Sequence, residues 1–211
     1  MSALWLALAS LFPLLNPFAA LPLFSQLTSG MDRVTRNRTA RTAAIAVLVI
    51  LIVAVVGGRY LLEGLGVSLP ALQVAGGIVV GATARMVIGA DTRVTPSVQL
   101  TEGPVQSTSV GVVPLAIPMI AGPGAISVSI ALVGRFDDVF STLWILLAAA
   151  VMAVIVWVVL RFGQPLLKRL GTTGIGVLTR VFGLVILAIA VQLVAEGTTQ
   201  LFPVLKASSA S

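Results

Sequence analysis

The chain is predicted to be an all-α integral membrane protein. It should carry six transmembrane helices as two inverted three-helix repeats, with helices 1 and 4 broken at Pro/Gly motifs. Three observations predict this. Of 211 residues, 58% are hydrophobic and only 9% charged, against roughly 25% charged in a soluble domain. The apolar runs are long rather than short and alternating, which disfavours a β-barrel. Finally, one proline pattern occurs twice inside apolar sequence: Pro13, Pro17 and Pro22 in PLLNPFAALP, and Pro114, Pro118 and Pro123 in PLAIPMIAGP. Five of those ten aligned positions are identical, including Leu14 with Leu115 and Ala20 with Ala121.

A bilayer crossing needs roughly 20 apolar residues, and six stretches qualify: about 3–26, 43–62, 69–90, 109–133, 141–162 and 177–201. The first could be mistaken for a signal peptide because of Ala7-Leu8-Ala9. No positive charge precedes it and the apolar run continues to Phe24, so it is expected to be an uncleaved span. The second and fifth are uninterrupted helices. The third begins with Ser68 placed as a cap and Pro70 in the first turn, where a missing N–H costs little. The fourth carries the second proline triplet. The sixth weakly echoes the third: VAGGIVVGATARM aligns with VFGLVILAIAVQL, pairing Gly76 with Gly183 and Arg85 with Gln192. Residues 1–90 then form the first repeat, 91–108 a polar cytoplasmic connecting loop, 109–203 the second, inverted repeat and 204–211 a disordered tail.

Orientation follows from basic residues in short loops. Arg33, Arg36, Arg38, Arg41, Arg85, Arg93, Arg161, Lys168, Arg169 and Arg180 fall on one side; only Arg59, Arg135 and Lys206 fall on the other. The richer side is read as cytoplasmic, which places both termini on the non-cytoplasmic side. The same distribution accounts for the net charge of +6 and pI near 11.4: basic loops meet anionic lipid headgroups. With no basic patch interleaved with aromatics, nucleic-acid binding is not expected. The partners expected are membrane lipids, a small-molecule substrate and, through Gly77 and Gly81, another copy of the chain or simply close packing within the bundle.

Cysteine and histidine are both absent. This removes disulfides, thiol nucleophiles and nearly all zinc chemistry, and no span carries an acidic pair at its centre. An intramembrane enzyme is therefore not expected. What remains is backbone chemistry. Pro17 cannot donate to the carbonyl of Pro13, nor Pro22 to Phe18, Pro118 to Pro114 or Pro123 to Met119. Unpaired groups are costly in lipid unless they face protein or a water-filled cavity. Freed carbonyls suit an ammonium or a cation, and the half-helix after each break offers N–H groups and a positive dipole end to a carboxylate. Asn16 adds an amide that both donates and accepts. Gly122-Pro123-Gly124 permits unwound backbone and close approach, and Ser127 follows one turn on. The substrate-binding candidates are Asn16, Pro17, Pro22, Pro118, Gly122, Pro123, Gly124 and Ser127; the competing reading is that these prolines only kink helices whose neighbours re-pair them. Arg85 and Gln192 are candidates for gating or coupling, although Arg85 also lies where snorkelling is easy. Glu63 and Glu196 read as interfacial. No cofactor or metal site is expected, and a coupling ion could be H+ or Na+.

LFPLLNPFAALPLF, LPALQVAGGIVVGATARMVIG, VGVVPLAIPMIAGPGAIS and LTRVFGLVILAIAVQ together resemble the MarC family of bacterial inner-membrane proteins, in order and over essentially the whole chain. The resemblance implies six spans in the bacterial inner membrane, a multi-pass topology and kinship with neutral amino acid transporters and LysE-like exporters. The expected function is a secondary transporter of small neutral amino acids, or similar small zwitterions, working by alternating access. The alternatives are a passive channel or facilitator, and a structural or regulatory membrane protein that does not transport.

Overall fold

The computed structural model describes residues 2–89, 121–136 and 138–202. These fold into six helices: α1 (Ser2–Leu15), α2 (Ala20–Leu27), α3 (Arg33–Gly64), α4 (Leu69–Gly89), α5 (Pro123–Arg135) and α6 (Val139–Leu201). Among the described residues, four helices are long and apolar enough to cross a membrane: Arg33–Gly64, Leu69–Gly89, and the two arms of α6, Val139–Leu167 and Thr173–Leu201. A fifth crossing is made if α1 and α2, bent by 54° across their break, count as one. Six crossings in two inverted repeats are thus not established. α5 is a shorter apolar helix at the C-terminal end of the expected fourth span, whose earlier part lies outside the described residues. The expected loop 91–108 and tail 204–211 lie outside them too.

Local chemistry sets most boundaries. Asp32 caps α3, its carboxylate accepting from the N–H groups of Val34 and Thr35 at 3.1 and 3.3 Å. Asp138 caps α6 through the N–H of Ser141 at 2.7 Å. Ser68 caps α4 as its sequence predicts, taking the N–H of Ala71 at 3.4 Å with Pro70 in the first turn. The basic stretch expected to be a loop between the fifth and sixth spans is helical on both sides of a single left-handed residue, Gly171 (φ 64°), with Pro165 inside the first arm.

The second arm of α6 runs antiparallel to α4 in a seam of glycines. A Cβ added at Gly77 would come within 2.8 Å of both Val194 Cγ2 and the Ala190 carbonyl; one at Gly197 would come within 2.7 Å of the Pro70 carbonyl. One at Gly183 would meet Ile88 at 2.7 Å. Small residues let the two backbones approach, which drives helix association where lipid offers no hydrophobic incentive. Gly77 thus packs inside the chain, while a Cβ on Gly81 would stand 3.6 Å from Ala190.

α5 fills the space between α1, α3 and α4. Gly134 near its end meets Leu69, and Gly58 of α3 meets Ile130. Leu14, near the end of α1, approaches Gly124 at the start of α5. These contacts put Ser2 and Leu201 at one end of the bundle, with Arg59 and Arg135. The arginines that open α3, Arg85 near the end of α4 and the Gly171 break lie at the other. Leu11, Leu21, Phe24, Leu51, Met152 and Leu160 are fully enclosed. Val53, Ile78, Val154 and Leu184 stand outward and are more than half exposed. Apolar surface on both inner and outer faces suits a hydrocarbon surround rather than water.

Candidate functional site

Asn16 is the residue at which the first apolar helix stops. Its backbone is left-handed (φ 35°), and among the described residues it is the only non-glycine with positive φ. Two features of the sequence force this. Pro17 disfavours the helical region for the residue before it, and asparagine tolerates the left-handed region better than most side chains. The N–H of Asn16 still donates to the Phe12 carbonyl at 3.2 Å, closing α1. The N–H of Ala19 then donates to the Asn16 carbonyl at 3.0 Å, and its side-chain Oδ1 lies 3.4 Å from the same N–H. α2 starts one residue later.

Asn16 is 7% exposed, yet among the described residues its Nδ2 has no hydrogen-bond partner. An unpaired buried donor costs about 1–3 kcal/mol, and Asn37, Gln73, Trp144, Trp157 and Thr179 carry such unpaired buried atoms as well. Three phenylalanines pack beside the break. Phe18 stacks on Phe182 with ring centroids 6.1 Å apart, and Phe12 sits edge-on to both at 6.2 and 5.5 Å. Sequence reasoning missed this cluster: Phe12 and Phe18 flank the motif, but Phe182 arrives from the second arm of α6 by folding alone.

The second motif faces the first. Gly122 is the N-cap of α5 in extended backbone (φ −72°, ψ 173°), followed by Pro123 at the helix start. The N–H groups of Ala125 and Ile126 donate to the Gly122 carbonyl at 3.0 and 3.3 Å. Glycine brings no side chain to cap the start of α5, so Gly122 itself gives the positive end of the α5 dipole no side-chain acceptor. Gly124 itself is forced by space: a Cβ there would lie 2.7 Å from Val80 Cγ2 and 3.6 Å from Leu14 Cδ2. Leu14 is two residues before Asn16, so the broken end of α1 and the start of α5 are neighbours.

Other expected site residues stand elsewhere. Ser127 faces α4, where a Cβ on Gly76 would meet its own Cβ at 2.5 Å and its Oγ at 2.8 Å. Pro22 sits in the first turn of α2, and the Phe18 carbonyl it was expected to leave free is taken by the N–H of Leu21 at 3.2 Å. A tight turn re-pairs that group, so Pro17 rather than Pro22 makes the break. Pro118, with the carbonyls of Pro114 and Met119, lies outside the described residues. Arg85 and Gln192 are not brought together. Gly77 lies against Ala190 and Val194 and Gly183 against Val87 and Ile88, so the two side chains sit about two helical turns apart along the seam. Arg85 is exposed near the basic end, whereas the Gln192 amide donates to Glu196 Oε1 at 3.0 Å.

The arrangement is thus a bent apolar helix with a buried amide unpaired among the described residues, set beside a helix start with glycine at its N-cap, in a bundle with apolar outer faces. Comparison with known proteins agrees with the membrane character. The family model for MarC family integral membrane proteins matches residues 1–202. Among relatives, the UPF0056 membrane protein YhcE of Escherichia coli K12 is 34% identical over 197 residues, covering 92% of this chain and 90% of its own. A UPF0056 membrane protein of Methanocaldococcus jannaschii is 31% identical over 192 residues, 91% of this chain and 94% of its own. The UPF0056 inner membrane protein MarC of Escherichia coli is 32% identical over 213 residues, 94% of this chain and 95% of its own. No solved structure matches. A chain matched over residues 1–202 in this way, and built from helices of this kind, belongs to the MarC family of integral membrane proteins.

Proposed function

We propose that the protein is a secondary transporter of small neutral amino acids or similar small zwitterions, working by alternating access from a site at the paired breaks. It is a carrier and not an enzyme. The observation that carries the reading is Asn16: a buried, left-handed residue whose Nδ2 is unpartnered among the described residues, next to the glycine-capped start of α5. Nδ2 and the Gly124 N–H supply donors for a carboxylate. The Pro13 carbonyl, which Pro17 cannot reach with an N–H, supplies an acceptor for an ammonium. A zwitterion satisfies both without a charged side chain, which suits a site deep in hydrocarbon, where charge is expensive.

In this reading the protein lies in the inner membrane, as the name of its Escherichia coli relative says of that protein. The chain crosses that membrane six times, and the arginine-rich end faces the cytoplasm. The two three-helix halves rock about the breaks, driven by a gradient of H+ or Na+.

The test is uptake of labelled glycine and alanine by proteoliposomes under imposed proton or sodium gradients, with Asn16→Gly beside the wild type. Saturable flux that needs one gradient and is lost in Asn16→Gly is the expected result. Absence of flux for both solutes under every gradient overturns the assignment. Flux that does not saturate points to a facilitator instead.

A further inference from the structure

A second polar feature lies on the same α1–α5 seam, toward the end of the bundle that holds Arg135. Leu14 meets Gly124 at the breaks; about one turn further along both helices, Ser10 and Val128 line a small cleft of about 80 Å³. Its polar walls come from four helices: Ser10 of α1, Gln73 of α4, Arg135 of α5, and Gln192 and Glu196 of the second arm of α6. Along α1, Ser10 is about 9 Å from Asn16 at 1.5 Å per residue.

The charges in this cleft are loosely joined. Arg135 Nη1 stands 3.6 Å from Glu196 Oε1, with the two side chains 52% and 33% exposed, longer than the roughly 2.7–2.9 Å of a charge-assisted hydrogen bond. Gln192 donates to the same Oε1 at 3.0 Å, so neither contact uses Oε2. Deeper in, Gln73 is only 5% exposed, and among the described residues its Oε1 has no partner. A buried, unsatisfied amide in the wall of a cleft that also offers one cation and one anion is an arrangement that lacks its complement.

We propose that this cleft is a loading subsite for a small zwitterion, which takes its carboxylate on Arg135 and its ammonium on Glu196 while Gln73 hydrogen-bonds to it from the floor. The binding chemistry rests on the charge pair and Gln73; only its role as an entry to the breaks rests on the transport reading. The complement is a primary ammonium tethered to an anion, a pattern shared by free amino acids and by the phosphatidylethanolamine headgroup. The cleft is assigned to the free solute, because Gln73 lies on its buried wall, where a headgroup held by its acyl chains has no need to reach.

The chain has no cysteine, so Ser10→Cys carries a single thiol at the cleft and Glu63→Cys one at the exposed surface of the same end. Both are labelled with a hydrophilic thiosulfonate in phosphatidylcholine nanodiscs, with Gln192→Cys as a second reporter. L-alanine at about ten times its Kd should slow labelling of Ser10→Cys about tenfold and leave Glu63→Cys unchanged. Adding Glu196→Gln or Arg135→Gln should remove the protection, and Arg135→Lys should restore part of it. Equal labelling with and without alanine at both reporters overturns the proposal. So does protection that persists in Glu196→Gln, or that appears only with added phosphatidylethanolamine and no alanine. Flux without protection sinks the cleft and leaves the transport reading standing; protection without flux does the reverse.

Discussion

Replacing Asn16 by glycine should raise stability while abolishing transport, and this pairing of effects is what a binding residue predicts. The wild type carries two local penalties. Among the described residues Nδ2 is buried without a partner, worth about 1–3 kcal/mol, and a non-glycine backbone is held at φ 35°, a smaller cost for asparagine, which tolerates the left-handed region better than most side chains. Asn16→Gly removes the orphan donor and accepts the left-handed backbone freely, at the loss of the long 3.4 Å contact from Ala19 and some packing volume. The net change is from about zero to 2 kcal/mol more stable. Asn16→Ala also removes the amide but keeps a Cβ in the left-handed region, so it should fall about 1–2 kcal/mol below the glycine variant. At roughly 2–4 °C per kcal/mol for a chain of this size, the variants should melt about 2–8 °C apart in detergent when followed by circular dichroism. Both should be silent in the proteoliposome assay. The reasoning is refuted if Asn16→Gly melts well below the wild type, which would make the amide structural, or if it transports normally.

Three further outcomes follow from particular contacts. Gly77→Val should force α4 and the second arm of α6 apart at Val194 and the Ala190 carbonyl and cost about 1–3 kcal/mol by overpacking, whereas Gly57→Ala, with open space around it, should melt as the wild type does. Phe182→Ala should leave the fold assembled but raise the KM for alanine, because the ring stacked on Phe18 beside the break is lost; an unchanged KM removes the aromatic cluster from the site. Asp32 and Asp138 are held below the ordinary carboxylate value of 3.8, first by the hydrogen bonds with Thr35 and Ser141 respectively and then by backbone N–H groups. A lowered folded value means their capping contribution is complete above about pH 4 and is lost as pH falls through the folded values, so Asp32→Asn/Asp138→Asn should flatten the acid limb of a melting-against-pH curve.

What the sequence reveals here is whatever chemistry acts within a few residues. Ser68 and Pro70 announce the start of α4 because cap and first-turn proline work locally. Asn16-Pro17 announces a break because a missing N–H cannot be hidden from its own helix. The Phe18 carbonyl was misjudged for the same reason in reverse: a three-residue turn to Leu21 repairs what a regular helix could not. The basic stretch around Gly171 reads as a loop by composition, but one left-handed glycine suffices to turn the chain and leaves helix on both sides. Contacts across the bundle were not legible. The echo that aligned Arg85 with Gln192 concerned equivalent places in two repeats, which an inverted arrangement has no reason to bring together. The partner of Gln192 is Glu196, one turn away on its own helix, and the partner of Glu196 is Arg135 from α5, which only packing supplies.

The placement of charge argues for a graded path rather than a single pocket. A charged side chain at the centre of a bilayer costs about 2.5–3.5 kcal/mol even on the milder scales. At the end of the bundle, where Arg135 and Glu196 remain partly exposed, water still screens them and the pair exchanges partners at little cost. In the proposed site at the breaks the same two functions would fall to dipoles: the Asn16 amide and the α5 start in place of the guanidinium, and the Pro13 carbonyl in place of the carboxylate. A zwitterion moving along the α1–α5 seam would therefore trade formal charges for oriented dipoles about 9 Å further on. That ordering predicts which solutes fail and where. A simple amine or carboxylate can engage half of the charged pair at the mouth, but at the breaks its single charge would be left without a counterion in hydrocarbon. Ethylamine and propionate should therefore slow labelling of Ser10→Cys weakly and show no flux, while alanine does both; flux of either single-charge analogue at the rate of alanine would show that the inner site carries a charge of its own.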